Sequence, residues 1–209
     1  IYPVNPKGGI IEGLQAYTSV LEIPGEVDLA IIVVNAKFVL STIDQCHEKG
    51  IKGLCIITAG FKETGAEGAE VEKQLVAKIK EYGMRCVGPN CLGVVNTNPE
   101  IRMDGCFAES LPERGNIGFV SQSGALGGGI LNILKDLNLG FAQFISIGNQ
   151  ADVNAETAIE YWENDKDVEQ ILLYMESIQN PANFRKLASR VTKKKPILAL
   201  KSGRSAAGA

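Results

Sequence analysis

The sequence predicts an α/β protein built on parallel sheets, arranged as two successive units, and three observations carry that reading. Asp28–Val34 is an unbroken run that is apolar after its first residue, as a covered parallel strand requires. Ala36–Glu48 follows it with Phe38, Val39, Ile43 and Cys46 at helical spacing on one face. The same alternation restarts after residue 115, beyond a stretch rich in Asn, Gly105, Pro99 and Pro112 that has no period. The linker is therefore expected within residues 96–115, with units at 1–108 and 109–209.

In the first unit, Ile1–Val4 reads as the end of a strand, and Gly50 ends the helix 36–48. Gly53–Thr58 is the next strand. Ala69–Tyr82 is an amphipathic helix with Val71, Leu75, Val76 and Ile79 inward, closed by Gly83. Arg85–Val87 is a short strand that leads into Gly88-Pro89-Asn90-Cys91.

The second unit opens on Gly115–Gly129, which reads as a buried strand, a tight polar turn and the start of a helix. Ser123 is placed as an N-cap and leaves free N–H groups in the first helical turn. Small residues there let an anion approach the backbone, so Ser121, Gln122, Ser123, Gly124 and Ala125 form a candidate phosphate site. Further strands are expected at 141–147, 168–175 and 196–200, and helices at 124–138, 154–163 and 181–193. Lys193-Lys194-Lys195 closes the last helix, where cations suit the dipole.

Ligands of open α/β sheets sit beyond the carboxyl ends of the strands. In the first unit those ends carry Asn5-Pro6-Lys7, Val34-Asn35, Thr58-Ala59-Gly60-Phe61 and Asn90-Cys91. Lys7 is a phosphate partner, and the small residues admit a long ligand. In the second unit the edge carries the Ser121–Ala125 turn, Gly148–Asp152, Glu176 and Lys201–Arg204. A carboxylate ending a buried strand is costly without a partner, which singles out Glu176. His47, the sole histidine, falls at the far end of its helix and reads as a surface or capping residue. Cys91 has no nearby base and reads as a wall residue. Trp162 and Tyr161 read as core or interface.

The net charge of −3 argues against a nucleic-acid-coating protein. Five cysteines without metal or disulfide spacing fit the reducing cytoplasm, and no metal site is expected. No apolar run is long enough to span a bilayer. With no initiating Met, and a start and an end that read as mid-element, the sequence is expected to be an internal fragment.

The residues resemble a family. Ile1-Tyr2-Pro3-Val4-Asn5-Pro6-Lys7, Thr58-Ala59-Gly60-Phe61-Lys62-Glu63-Thr64-Gly65 and Gly88-Pro89-Asn90-Cys91-Leu92-Gly93 look like NDP-forming acyl-CoA synthetases. So do Ser121-Gln122-Ser123-Gly124-Ala125-Leu126, Gly148-Asn149, Tyr174-Met175-Glu176-Ser177 and Lys201-Ser202-Gly203-Arg204-Ser205. The likeness runs over essentially the whole chain, and extends more distantly to the succinyl-CoA synthetase alpha subunit. It implies a CoA-binding Rossmann-like domain lacking its first strand and glycine-rich turn, then a flavodoxin-like ligase domain. It also implies reversible conversion of acyl-CoA, ADP and phosphate to carboxylic acid, CoA and ATP, through an acyl phosphate and a phosphohistidine. Coenzyme A would lie on Pro6, Lys7, Val34, Asn35, Thr58, Ala59, Gly60, Phe61, Asn90 and Cys91, and the phosphoryl group on Ser121–Ala125. Glu176 would orient a phosphohistidine that lies beyond Ala209. ADP or ATP with Mg2+ would occupy an ATP-grasp domain or beta subunit outside these residues, in an oligomeric assembly. Asn35 stands where the family usually has Pro.

A second reading is a CoA-binding regulatory module, such as the ligase-like half of certain protein acyltransferases. A Ser-His-Thr-Gly segment downstream would favour the enzyme. A nicotinamide-binding reading lacks its G-x-G-x-x-G motif.

Overall fold

The computed structural model describes residues 1–202. After a two-residue hairpin (β1, Ile10–Ile11; β2, Leu14–Gln15), the first domain is a three-stranded parallel sheet. Its order is β3 (Leu29–Ile32), β4 (Gly53–Ile56), β5 (Arg85–Val87). Helices α1 (Ala36–Glu48) and α2 (Ala66–Glu81) return the chain between the strands. Both pack on the same face. Ile32, Leu54, Ile56 and Cys86 of the sheet meet Val39, Ile43, Leu75 and Ile79 of the helices in one core. Side chains alternate along a strand, so Leu29, Cys55 and Val87 point to the other face.

The second domain fills that other face. Its six-stranded sheet runs β11 (Ile197–Lys201), β10 (Gln170–Met175), β8 (Arg114–Ser121), β9 (Phe141–Ser146), β6 (Gly93–Asn96), β7 (Met103–Cys106). The first four are parallel, and the β6–β7 hairpin is antiparallel. Val94, Met103 and Ile145 pack with Leu29, Cys55, Val87 and Cys91 into an apolar cluster shared by the two sheets. Helix α3 (Gly124–Asp136) covers one face of the large sheet, its Leu131 packing with Phe119, Phe141 and Phe144. Helices α4 (Ala155–Trp162) and α5 (Pro181–Val191) cover the other, packing Ile159, Trp162, Leu187 and Val191 with Val120 and Leu173. Trp162 is core: fully buried, it donates Nε1–H to Gln143 Oε1 at 2.8 Å. Tyr161 faces solvent.

Three expectations change. Residues 96–115 are not all loop, because β7 lies among them. Their turn residues belong to the hairpin's ends, and the hairpin is recruited by pairing of β6 with β9. The strand expected at 28–34 spans 29–32 and is a sheet edge, with Ile31 and Val33 exposed at 45% and 69%. An apolar run reads the same in a central strand and in an edge strand. Ile1–Val4 enters no sheet; Val4 forms one bridge, to Tyr17.

Phe119 is fully buried against Phe141 and Phe144, with ring centroids 5.7 and 5.3 Å away. Phe119→Ala leaves a cavity that the paired strands cannot close, and is expected to cost about 3–5 kcal/mol. Denaturant unfolding checks this, and a loss below about 1 kcal/mol contradicts the packing described.

Candidate functional site

The turn after β8 is formed as its residues dictate. Ser121 is fully buried and donates its hydroxyl to the Ser123 carbonyl at 2.6 Å. Ser123 caps α3, its Oγ accepting from Leu126 N–H at 3.4 Å. The Gly124 and Ala125 N–H groups precede the first intrahelical bond and point out at the positive end of the dipole. Gly127 lets the helix sit down on the strand, since a Cβ there would meet Phe144 and Ser121 at 3.1 Å.

Glu176 arrives from the neighbouring strand. Tyr174 pairs with Ser121 in register, which sets Glu176 beside the turn. Gln122 joins the two. Its Oε1 accepts from the Glu176 and Ser177 N–H groups at 2.8 and 3.0 Å, and its Nε2 donates to Ser177 Oγ at 2.9 Å. The Glu176 carboxylate is exposed, so burial cost is not what marks it out; its place beside the Ser121–Ala125 turn is. Lys201 and Ser202 end the adjacent strand, where Ser202 N–H donates to Met175 O at 2.9 Å. Gly203 and Arg204 lie outside the described residues.

At the edge of the first domain, Asn35 caps α1 by accepting from Lys37 N–H at 3.2 Å, and Thr58 Oγ1 donates to Val34 O at 2.7 Å. Lys7 is exposed and makes no ion pair among the described residues, and Pro6 is exposed beside it. Asn90, in a left-handed conformation at φ 57°, donates its N–H to Thr58 O at 3.0 Å. Ala59 and Gly60 line the turn. Phe61 contributes only backbone to it, because its ring is fully buried in the first core.

The Gly60 and Phe61 N–H groups are not free for a ligand. Both donate to Glu63 Oε1, at 2.6 and 3.1 Å. Burial works to raise the Glu63 carboxyl. Hydrogen bonds from Asn149 and from these backbone groups outweigh it and hold the carboxyl below the usual carboxylate range.

Of residues 148–152, expected to line the ligand edge of the second domain, Gln150 does reach it, donating Nε2–H to Ser177 Oγ at 3.4 Å, while the others dock on the first domain. Asn149, Ala151 and Val153 N–H groups donate to Pro89 O, Gly88 O and Cys86 O at 2.9, 3.1 and 3.0 Å. Asp152 accepts from Arg85 Nε and Cys86 N–H at 2.9 and 2.8 Å. Gly148, at φ 50°, is required there, because a Cβ would lie 2.3 Å from Pro89 O. A crevice of about 280 Å³ lined by Val76, Lys80, Arg85 and Asp152 opens at the amino end of β5, away from the edge.

His47 is exposed on α1 and stacks on Tyr82 at 3.9 Å, far from both turns in the chain's topology. Cys91 is 4% exposed; its Sγ lies 3.8 Å from Cys55 Sγ and 3.3 Å from Ile56 O. The contact between the two thiols lowers the Cys91 thiol, and the same contact together with burial raises Cys55. Cys91 therefore forms part of the wall between the domains. Among the described residues no group of three or more His, Cys, Asp or Glu is placed to hold a metal.

Residues 1–97 match the family described as CoA binding domain, and residues 114–209 match the succinyl-CoA ligase like flavodoxin domain. The whole chain is 49% identical to the alpha subunit of acetate–CoA ligase (ADP-forming) II of Pyrococcus furiosus, and covers 45% of that protein. The chain carries these two domains in succession and is similar over its whole length to the alpha-type part of ADP-forming acetate–CoA ligases. Acetate–CoA ligase (ADP-forming) I of Archaeoglobus fulgidus is 44% identical over all 209 residues of this chain, which spans 30% of that protein. Among solved structures, acetyl-coenzyme A synthetase 1 of Ca. Korarchaeum cryptofilum, in complex with phosphate and ADP, superposes with a TM-score of 0.91. It is 37% identical and covers 100% of this chain, which spans 44% of that one. The α/β chain thus has a CoA-binding Rossmann-like domain followed by a flavodoxin-like ligase domain, and spans less than half the length of these relatives. None of its described helices is long and apolar enough to cross a membrane.

Cys91→Ala in the full-length enzyme is expected to leave substantial activity. A loss above about 10³-fold with the fold intact, the scale of removing a nucleophile, would make Cys91 a catalytic residue.

Proposed function

We propose that these residues are the part of an ADP-forming acyl-CoA synthetase that binds CoA and handles the acyl and phosphoryl groups. The observation that carries the reading is the juxtaposition of the Ser121–Ala125 turn with Glu176, bridged by Gln122. The carboxyl edge of the first domain binds CoA, with Lys7 supplying a cation for a phosphate and residues 34–35, 58–61 and 90–91 lining the path. Inorganic phosphate, held by the Gly124 and Ala125 N–H groups, attacks the thioester carbonyl; the C–S bond breaks, giving acyl phosphate and CoA thiolate. A histidine nitrogen then takes the phosphoryl group and releases the carboxylic acid, and ADP later accepts it to form ATP.

His47 does not fit that role, since it is the chain's one histidine and stacks on Tyr82 at the surface. The phosphorylated histidine therefore comes from outside residues 1–209. A carboxylate facing an anion site is repulsive unless a proton or an imidazole lies between them. Glu176 accepts the N–H of that histidine's second nitrogen, fixing the ring and stabilising its charged form. ADP and Mg2+ belong to an ATP-grasp domain or beta subunit. Exposed apolar residues on β11 (Leu198, Leu200), on α3 (Ile133) and at its C-cap (Leu137) leave surface for the rest of a cytoplasmic, oligomeric enzyme.

Glu176→Gln in the full-length protein is expected to reduce phosphoenzyme formation from radioactive phosphate and acyl-CoA by about 10²-fold or more, the scale of a lost general-acid or orienting group. CoA affinity, titrated in parallel, stays nearly constant. Normal labelling in the Gln variant removes Glu176 from the mechanism.

A further inference from the structure

Asn149 belongs to the second domain, yet every hydrogen bond recorded for it goes to the first. Its side-chain Nδ2 donates to Glu63 Oε2 at 2.6 Å and to Glu72 Oε2 at 2.8 Å. Its Oδ1 accepts from Asn90 Nδ2 at 3.3 Å. Its N–H donates to Pro89 O at 2.9 Å, and its carbonyl accepts from the Lys62 ammonium. The residue is 7% exposed and its polar groups are all engaged, as a buried amide demands.

The partners are what give this arrangement a function. Glu63 is the residue whose other oxygen holds the Gly60 and Phe61 N–H groups and so closes the 58–61 turn. Asn90 and Pro89 form the 88–91 turn. Asn149 thus holds two of the four turns of the proposed CoA edge at once, from the opposite domain. Glu72, 8% exposed, accepts from Asn149 and from Lys62 N–H at 3.3 Å and pairs with the Lys62 ammonium at 3.3 Å. The cluster therefore sets two carboxylates against one ammonium and one amide. Removing the amide leaves two poorly compensated carboxylates facing each other.

We propose that Asn149 is a positioning residue for coenzyme A. By clasping Glu63 and Asn90 from the second domain, it preorganises the turns 58–61 and 88–91 against which the ligand lies. The inference rests on the CoA edge proposed above. A preformed edge binds without an ordering cost, and a loosened one loses that advantage as affinity.

The test is isothermal titration of CoA into full-length protein, parent and variants, with steady-state kinetics beside it. Asn149→Ala should raise the dissociation constant for CoA roughly 10- to 100-fold, as loss of a buried hydrogen bond to a charged group implies. The loss should fall on KM for CoA rather than on kcat at saturating CoA. Asn149→Asp keeps the shape but replaces the donor with a third carboxylate, and should weaken CoA further. Adding Glu63→Gln to Asn149→Asp restores a donor–acceptor pair of reversed polarity. The Gln oxygen can still hold the Gly60 and Phe61 N–H groups, so part of the affinity should return. A merely structural role would lower thermal stability and kcat together and would show no rescue. An unchanged CoA dissociation constant in Asn149→Ala, or no rescue by the second substitution, overturns the proposal while the edge assignment stands. A parent protein that binds no CoA overturns both.

Discussion

Residues 149–153 lie along the free edge of β5, and the relation between the two domains depends on that pairing. A strand edge carries unpaired N–H and C=O groups, which must find partners when buried. Here alternate N–H groups of the second domain's loop supply them, at Cys86, Gly88 and Pro89. The loop leaves β9 immediately before, so the pairing also fixes where β9 and the β6–β7 hairpin sit. They land on the face of the first sheet that α1 and α2 leave open, and the cluster around Cys55, Cys91 and Val94 closes there. The polar contacts give the docking its register, and an apolar cluster shared by the two sheets lies beside them.

The same docking explains why the two candidate edges differ in character. In the first domain the Gly60 and Phe61 N–H groups are already satisfied by Glu63, so the edge offers shape, Lys7 and backbone carbonyls. In the second, the Gly124 and Ala125 N–H groups at the start of α3 stay open, and Gln122 directs its amide to the strand end that carries Glu176. One edge is thus suited to a long ligand lying across small residues. The other is suited to a compact anion held end-on by a helix.

Much of this was legible in the sequence, for physical reasons. Helix α1 was marked by Val39, Ile43 and Cys46 at helical spacing, and its observed span matches. The Ser123 cap and the turn before it followed from residue chemistry, and parallel pairing then placed Glu176 beside them. Asn149 was not legible as a clasp. A polar residue after a strand reads the same whether it meets a ligand or another domain, and its partners Glu63 and Glu72 lie 86 and 77 positions away. Nor was the β6–β7 hairpin, whose short strands lie among turn-forming residues, or the exposure of β3. Edge position is a property of the sheet and leaves no mark in the strand's own composition.

The central claim is that the α3 turn holds phosphate facing Glu176. Crystals of the full-length protein soaked in phosphate test it most directly. The account places the anion within hydrogen-bonding distance of the Gly124 and Ala125 N–H groups, about 2.7–3.2 Å, with Glu176 on the opposite side and an imidazole between them. A saturating soak that leaves this turn empty, or that seats phosphate elsewhere in the second domain, would contradict it.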